Sequence, residues 1–162
     1  MATKLLIVES PGKVKKLSQI LGSDWLVKAS MGHVRELAED GEDSLGFSLD
    51  GDSVRCHFVA RGTRGKETIQ HLLSAVQRVK SVVLATDLDR EGETIAWHLE
   101  QALKLRNPQR VVYTEITPTA IDAAISTRPT WIGRMGCIPT ARRRWTTGRA
   151  KARAVSAAAS SP

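Results

Sequence analysis

Short apolar runs alternate with amphipathic helical stretches through residues 1–127, and this alternation narrows the possible folds more than any other property of the chain. Residues 4–9, Lys4-Leu5-Leu6-Ile7-Val8-Glu9, read as a buried strand bounded by Ser10-Pro11. A helix is expected at once. Ser10 suits an N-cap, Pro11 the first helical position and Gly22 the stop, while Val14, Leu17 and Leu21 recur at i, i+3 and i+7. Residues 25–30 and 53–60 read as further strands, and the acidic, turn-rich stretch between them as a surface loop. From Thr63 a helical face of Ile69, Leu72, Leu73, Val76 and Val79 leads into the apolar run Ser81-Val82-Val83-Leu84-Ala85. Residues 92–105 are helical again through Ile95, Ala96, Leu99, Ala102 and Leu103, followed by a strand over 110–116 and a helix capped by Thr117-Pro118. Strands separated by helices of this length imply an α/β domain with a mostly parallel central sheet flanked by helices.

The chain has 162 residues, enough for one domain with its own core. No apolar stretch approaches the roughly 20 residues of a membrane span, and no charged-then-apolar leader opens the sequence, so a cytoplasmic protein with no membrane partner is expected. Cys56 and Cys137 lie far apart without a C-x-x-C pair; two reduced thiols are expected rather than a disulfide framework or zinc knuckle. The net charge of +7 is very uneven. Residues 1–127 carry 16 Lys and Arg against 17 Asp and Glu, whereas residues 128–162 carry 8 and no acid. Any nucleic-acid argument for the main domain must therefore rest on particular residues. Residues 128–162 also lack Leu and Phe and end in an Ala/Ser run, so a domain over 1–127 and a disordered basic low-complexity tail over 128–162 are expected.

The strongest chemical signal is Asp87-Leu88-Asp89-Arg90-Glu91-Gly92-Glu93, at the end of one strand and the mouth of a helix. Open α/β sheets place ligands at the carboxyl ends of their strands, and crowded carboxylates there are costly unless a cation neutralises them. Asp87, Asp89 and Glu91, at alternate positions, could turn toward one hard divalent ion, Mg²⁺ being the natural candidate. A solvated acidic turn favouring the helix dipole would leave the same pattern. Glu9 closes the first strand at the corresponding end; were the two strands neighbours, repulsion would raise its pKa toward that of a general acid. Lys13 lies in the first turn of a helix, against the macrodipole, where it could serve a phosphate or simply belong to a wet face with Lys15 and Lys16. His33 follows a strand in Ser30-Met31-Gly32-His33-Val34-Arg35. His57, His71 and His98 have no partner spacing, and Trp97 reads as core or rim packing.

Ile7-Val8-Glu9-Ser10-Pro11-Gly12-Lys13, Met31-Gly32-His33-Val34-Arg35 and the run from Ala85 through Asp87-Leu88-Asp89-Arg90-Glu91-Gly92-Glu93 to Leu99 closely resemble the N-terminal Toprim domain of the bacterial type IA DNA topoisomerases. The resemblance covers residues 1 to about 125, with Leu88 where the family usually has proline. It implies a catalytic role for Glu9 in proton transfer, Mg²⁺ binding through Asp87, Asp89 and Glu91, and phosphate stabilisation by Lys13, with His33 at a further motif position. It also implies DNA as partner, single-stranded at the cleavage site. In that family a tyrosine in a later domain attacks a phosphodiester, leaving a 5′-phosphotyrosine link and a free 3′-hydroxyl. Another strand then passes and the break is resealed without ATP, relaxing negative supercoils. Tyr113 lies in an expected strand, outside any matching nucleophile motif, so no nucleophile is assigned in this chain.

After Ser126 the family pattern ends, and Ala141-Arg142-Arg143-Arg144 only echoes the family's next motif. A truncated or frameshifted product lacking the downstream topoisomerase domains is expected. Two other classes remain open: a stand-alone Toprim nuclease or primase-like protein, and a non-catalytic nucleic-acid-binding module whose tail supplies affinity.

Overall fold

The computed structural model describes residues 2–40, 44–51, 53–106 and 108–127. The chain runs β1 (Lys4–Val8), a single 3-10 turn (Pro11–Lys13), α1 (Val14–Leu21), β2 (Trp25–Ala29), β3 (Arg35–Leu37), β4 (Phe47–Asp50), β5 (Ser53–Cys56), β6 (Phe58–Ala60), α2 (Gly62–Val76), β7 (Ser81–Ala85), α3 (Arg90–Ala102), β8 (Gln109–Arg110) and α4 (Pro118–Ser126). β2, β1, β7 and β8 lie side by side in that order, and every pairing is parallel.

Alternation along β1 and β7 decides the layering. Leu5 and Ile7 of β1 and Leu84 of β7 bury into a cluster with Leu72 and Ala75 of α2 and Ile95, Ala96 and Leu99 of α3. Leu6, Val8, Val83 and Ala85 point the other way, onto Leu17 of α1, Val27, Val111 and Ile121 of α4. Helices thus cover both faces of the parallel sheet, as its apolar central strands require. Four consecutive side chains of β1 are at most 1% exposed. Each contributes about 1.5–3 kcal/mol by burial, which makes this strand the anchor of the core. No helix among the described residues is long and apolar enough to cross a membrane.

Three expectations need correction. Residues 53–60 do not form one strand: the chain breaks at His57 into β5 and β6, which pair antiparallel with β4 and β3 outside the central sheet. Those partners lie in the stretch expected to be a loop. Strands of three or four residues with Leu37, Leu49, Val54 and Val59 exposed carry too little alternation to reveal themselves. Next, the strand expected over 110–116 pairs only at Gln109 and Arg110; one more backbone bond, Val111 N–H to Leu84 O at 2.8 Å, ends the contact at this sheet edge. Tyr113 is therefore not in a strand. Finally, Cys56 is disulfide-bonded rather than a reduced thiol, and Cys137 lies outside the described residues. The domain end at 127 and the basic tail over 128–162 lie at and beyond the edge of the described residues.

Gly92 opens α3 where backbone must pass close to backbone. A Cβ there would lie 2.2 Å from the carbonyl oxygen of Asp87. Gly92→Ala should lower stability by about 1–3 kcal/mol, read as a lower midpoint in urea or thermal denaturation. An unchanged midpoint would mean that this loop has room to relax.

Candidate active site

Sheet register brings the chemical residues together. Val8 stands opposite Ala85 of β7 and Ala29 of β2, so Glu9, Thr86 and Ser30 leave adjacent strands at one edge. From β1 the chain crosses to β2 through α1, and from β7 to β8 through α3 on the opposite face. Strand order therefore reverses between β1 and β7, which opens a crevice at the carboxyl end of the sheet. Backbone bonds tie its rim: Ser30 N–H donates to Val8 O at 2.8 Å and Met31 N–H to Glu9 O at 3.1 Å. Met31 and Gly32 adopt left-handed φ values of 61° and 83°, so a non-glycine residue is held there at a cost of about 1–2 kcal/mol. This turn presents His33 beside the acidic loop.

Each acidic side chain of that loop has a different neighbour. The Asp87 carboxylate accepts from the Lys13 ammonium, the only cation bonded to that side chain among the described residues. Asp89 caps α3, its Oδ1 accepting from Gly92 N–H at 2.6 Å, which meets the helix's exposed amide dipoles. Glu91 faces His33, with Oε1 3.5 Å from Nε2. Glu93 turns inward to Arg110 at 2.6 Å. The structure thus gathers Glu9, Lys13, His33, Asp87, Asp89 and Glu91 at one edge. Ser10, by contrast, makes no side-chain cap bond, and a 3-10 turn stands where a cap was expected.

The electrostatics follow this crowding. The Glu9 carboxyl is pushed above its ordinary 4.5 by partial burial first, then by the charges of Asp87, Glu91 and Asp89, with Lys13 opposing. Burial works against the charge on Lys13, but its hydrogen bond to Asp87 and the charge of that residue outweigh it and leave the ammonium more firmly protonated. Tyr113, whose buried hydroxyl lacks a hydrogen-bond partner among the described residues, is raised above 10.0 by burial and by Asp87, against Lys13 and Arg110. His98, left without a role by its spacing, packs edge-on to His33 with centroids 6.2 Å apart. Burial, Arg35 and His33 lower its pKa to about 4. Trp97 packs against Phe58 and His98, as rim packing would have it.

Among the described residues no group of three His, Cys, Asp or Glu side chains is already arranged to hold a metal ion. The donor chemistry nonetheless fits Mg²⁺. That ion keeps several waters and needs only one or two carboxylates directly, and the Asp87 and Glu91 side chains are 49% and 63% exposed. Three carboxylates that together raise Glu9 also form the field a cation would relieve.

Two features escaped sequence reasoning. An open cavity of about 350 Å³ beside His33 is walled by Arg61 and Arg64, a local positive surface on a main domain whose charges nearly cancel. The second is Arg110, 3% exposed and paired with Glu93. An arginine opening the apolar run Val111-Val112 was the one available signal.

The raised Glu9 pKa has a consequence for stability. A carboxyl raised in the folded state contributes fully below its unfolded value and loses that contribution as pH rises through the folded one, so ionised Glu9 destabilises the domain at neutral pH. In EDTA, Glu9→Gln should raise the melting temperature at pH 7, and the gain should vanish as pH falls below 4.5. Thermal scans of both proteins across that window check this, and a gain independent of pH would point to packing instead.

The Toprim domain family matches residues 4–116. The plasmid DNA topoisomerase I of Xylella fastidiosa (strain 9a5c) is 44% identical over 122 residues, covering 75% of this chain and 18% of that protein. DNA topoisomerase 1 of Mycobacterium leprae is 43% identical over 133 residues, again 75% of this chain and 14% of its own length. Full-length topoisomerase I from Thermotoga maritima superposes with a TM-score of 0.65 at 32% identity, over 77% of this chain and 20% of that one. The chain thus spans no more than about a fifth of these relatives. With residues 4–116 matched and the fold shared, the chain belongs to the Toprim domain family, in the form found in bacterial DNA topoisomerase I.

Proposed function

We propose that this chain is the Mg²⁺-binding Toprim portion of a type IA DNA topoisomerase, acting on DNA that is single-stranded at the cleavage site, in the cytoplasm. The Toprim unit ends near residue 127 in this reading. One observation carries it: Glu9, Lys13, Asp87 and Glu91 meet at the crevice between β1 and β7, where burial and then its acidic neighbours raise the pKa of Glu9.

Asp87 and Glu91, with Asp89 beside them, are the residues that would hold Mg²⁺. When bound, the ion supplies neutralising charge for a DNA phosphate. The Lys13 ammonium orients a phosphate oxygen at the crevice. A tyrosine from a downstream domain, entering as its phenolate, forms the new bond to phosphorus while the bond to the 3′ oxygen breaks, and the Glu9 carboxyl gives its proton to that oxygen. In resealing, the same carboxylate takes the proton back. His33 borders the path of the strand, and Arg61 and Arg64 supply positive charge beside it.

Tyr113 is not the nucleophile in this account. A hydroxyl buried with no hydrogen-bond partner among the described residues and with a raised pKa is inaccessible to a phosphodiester and a weak source of phenolate. The 162-residue chain alone should therefore neither relax negatively supercoiled plasmid nor form a covalent DNA adduct. Millimolar Mg²⁺ should still raise its melting temperature, by about 1.4 kcal/mol of stability at ten times Kd, with Asp87→Asn blunting the effect. Mixing the chain with the downstream domains of the Xylella fastidiosa relative should restore strand cleavage, and Glu9→Gln should remove it. Nicked circles from the chain alone with Mg²⁺ would make it a Toprim nuclease. Indifference of the melting temperature to Mg²⁺ would remove the metal site.

A further inference from the structure

Arg110 is a full positive charge at the sheet edge with only 3% of its side chain exposed, and its donors go mostly to backbone. Nη1 donates to the carbonyls of Leu84 at 3.3 Å, Thr86 at 2.8 Å and Val111 at 3.0 Å, and Nη2 to that of Asp87 at 3.1 Å. Nε and Nη2 both donate to Glu93 Oε1, at 3.1 and 2.6 Å. The guanidinium thus grips the last carbonyl positions of β7 and the first of the acidic loop, while Glu93 ties it to the first turn of α3. Thr86 closes the other side, its hydroxyl donating to Gly92 O at 2.7 Å. With its carbonyl turned inward, Asp87 keeps its side chain outside, on Lys13.

We propose that Arg110 and Glu93 form a buried clamp that fixes the backbone of the loop from Thr86 to Glu91 at the crevice, making them positioning residues for the proposed metal site. The inference rests on the reading of Asp87, Asp89 and Glu91 as metal ligands and extends it inward. It also accounts for the fourth carboxylate of the motif: Glu93 balances the charge of Arg110, so the clamp acts through geometry and adds little field at the crevice. A rigid fork of five donors can hold these carbonyls and a carboxylate together; a lysine ammonium, one point of charge on a flexible stem, cannot. Groups that orient metal ligands commonly change metal affinity by roughly 10–100-fold when altered.

The test measures Mn²⁺ binding to the full 162-residue chain by electron paramagnetic resonance of the free ion, with Arg110→Lys and Thr86→Val as variants, each held well below its own melting temperature. Arg110→Lys should weaken Mn²⁺ affinity by roughly tenfold or more while the circular dichroism of the folded protein is unchanged. Thr86→Val, which removes only the hydroxyl bond to Gly92, should weaken it in the same direction by a smaller factor, and decides the matter if Arg110→Lys does not fold. A purely structural role would lower the melting temperature and leave the Kd of the folded protein alone. Native affinity in folded Arg110→Lys would show that charge suffices and overturn the clamp, as would native affinity in Thr86→Val. Failure of the unmodified chain to bind Mn²⁺ would instead strike the metal-site reading, and the clamp with it.

Discussion

The parallel pairing of β1 with β7 is the constraint on which the site depends. Its register sets Val8 beside Ala85, so the next residue of one strand is Glu9 and the second of the other is Asp87. Both strands are buried on two faces, and a slip of a single residue would turn Leu5 and Ile7 of β1, or Leu84 of β7, out of one cluster and into the other. The meeting of Glu9 with the acidic loop is thus held by hydrophobic burial. Four buried side chains of β1, at about 1.5–3 kcal/mol each, far outweigh repulsion between partly exposed carboxylates at the strand ends, about 1 kcal/mol for a pair at 4 Å in water.

That repulsion is distributed as well as outweighed. Lys13 sits on Asp87, the amide end of α3 receives Asp89, His33 stands by Glu91, and Arg110 takes Glu93. Glu9, partly buried, alone faces three acidic neighbours with only Lys13 in opposition, and burial first and those charges second make its proton harder to remove. A carboxyl whose pKa is raised, beside a phosphate-orienting ammonium, suits transfer of a proton to a departing oxygen. Stability given up at Glu9 is, in this account, retained as chemistry.

Much of this was legible from residue order. The elements β1, α1, α2, β7 and α3 are apolar or amphipathic over enough residues for their periods to show, and the acidic loop stands out because four carboxylates at a strand end have no packing explanation. The ribbons β3–β6 and β4–β5 stayed hidden because three- and four-residue strands with exposed leucines and valines carry no clear alternation. Residues 110–116 look like a strand by composition, yet the run lies at the sheet edge and pairs for two residues only. Arg110 was the hardest to foresee. Its role depends on carbonyls of Leu84, Thr86 and Asp87 turning toward it, and carbonyl direction leaves no trace in side-chain pattern.

The central claim is that Glu9 lies in the combined field of Asp87, Asp89 and Glu91 and that a divalent cation occupies that field. A carbon-13 NMR titration of the Glu9 carboxyl, with and without Mg²⁺, tests it most directly. The account predicts a metal-free pKa above 4.5 that falls when Mg²⁺ is added, because the cation offsets the carboxylates that oppose ionisation. An ordinary pKa that does not respond to Mg²⁺ would contradict it.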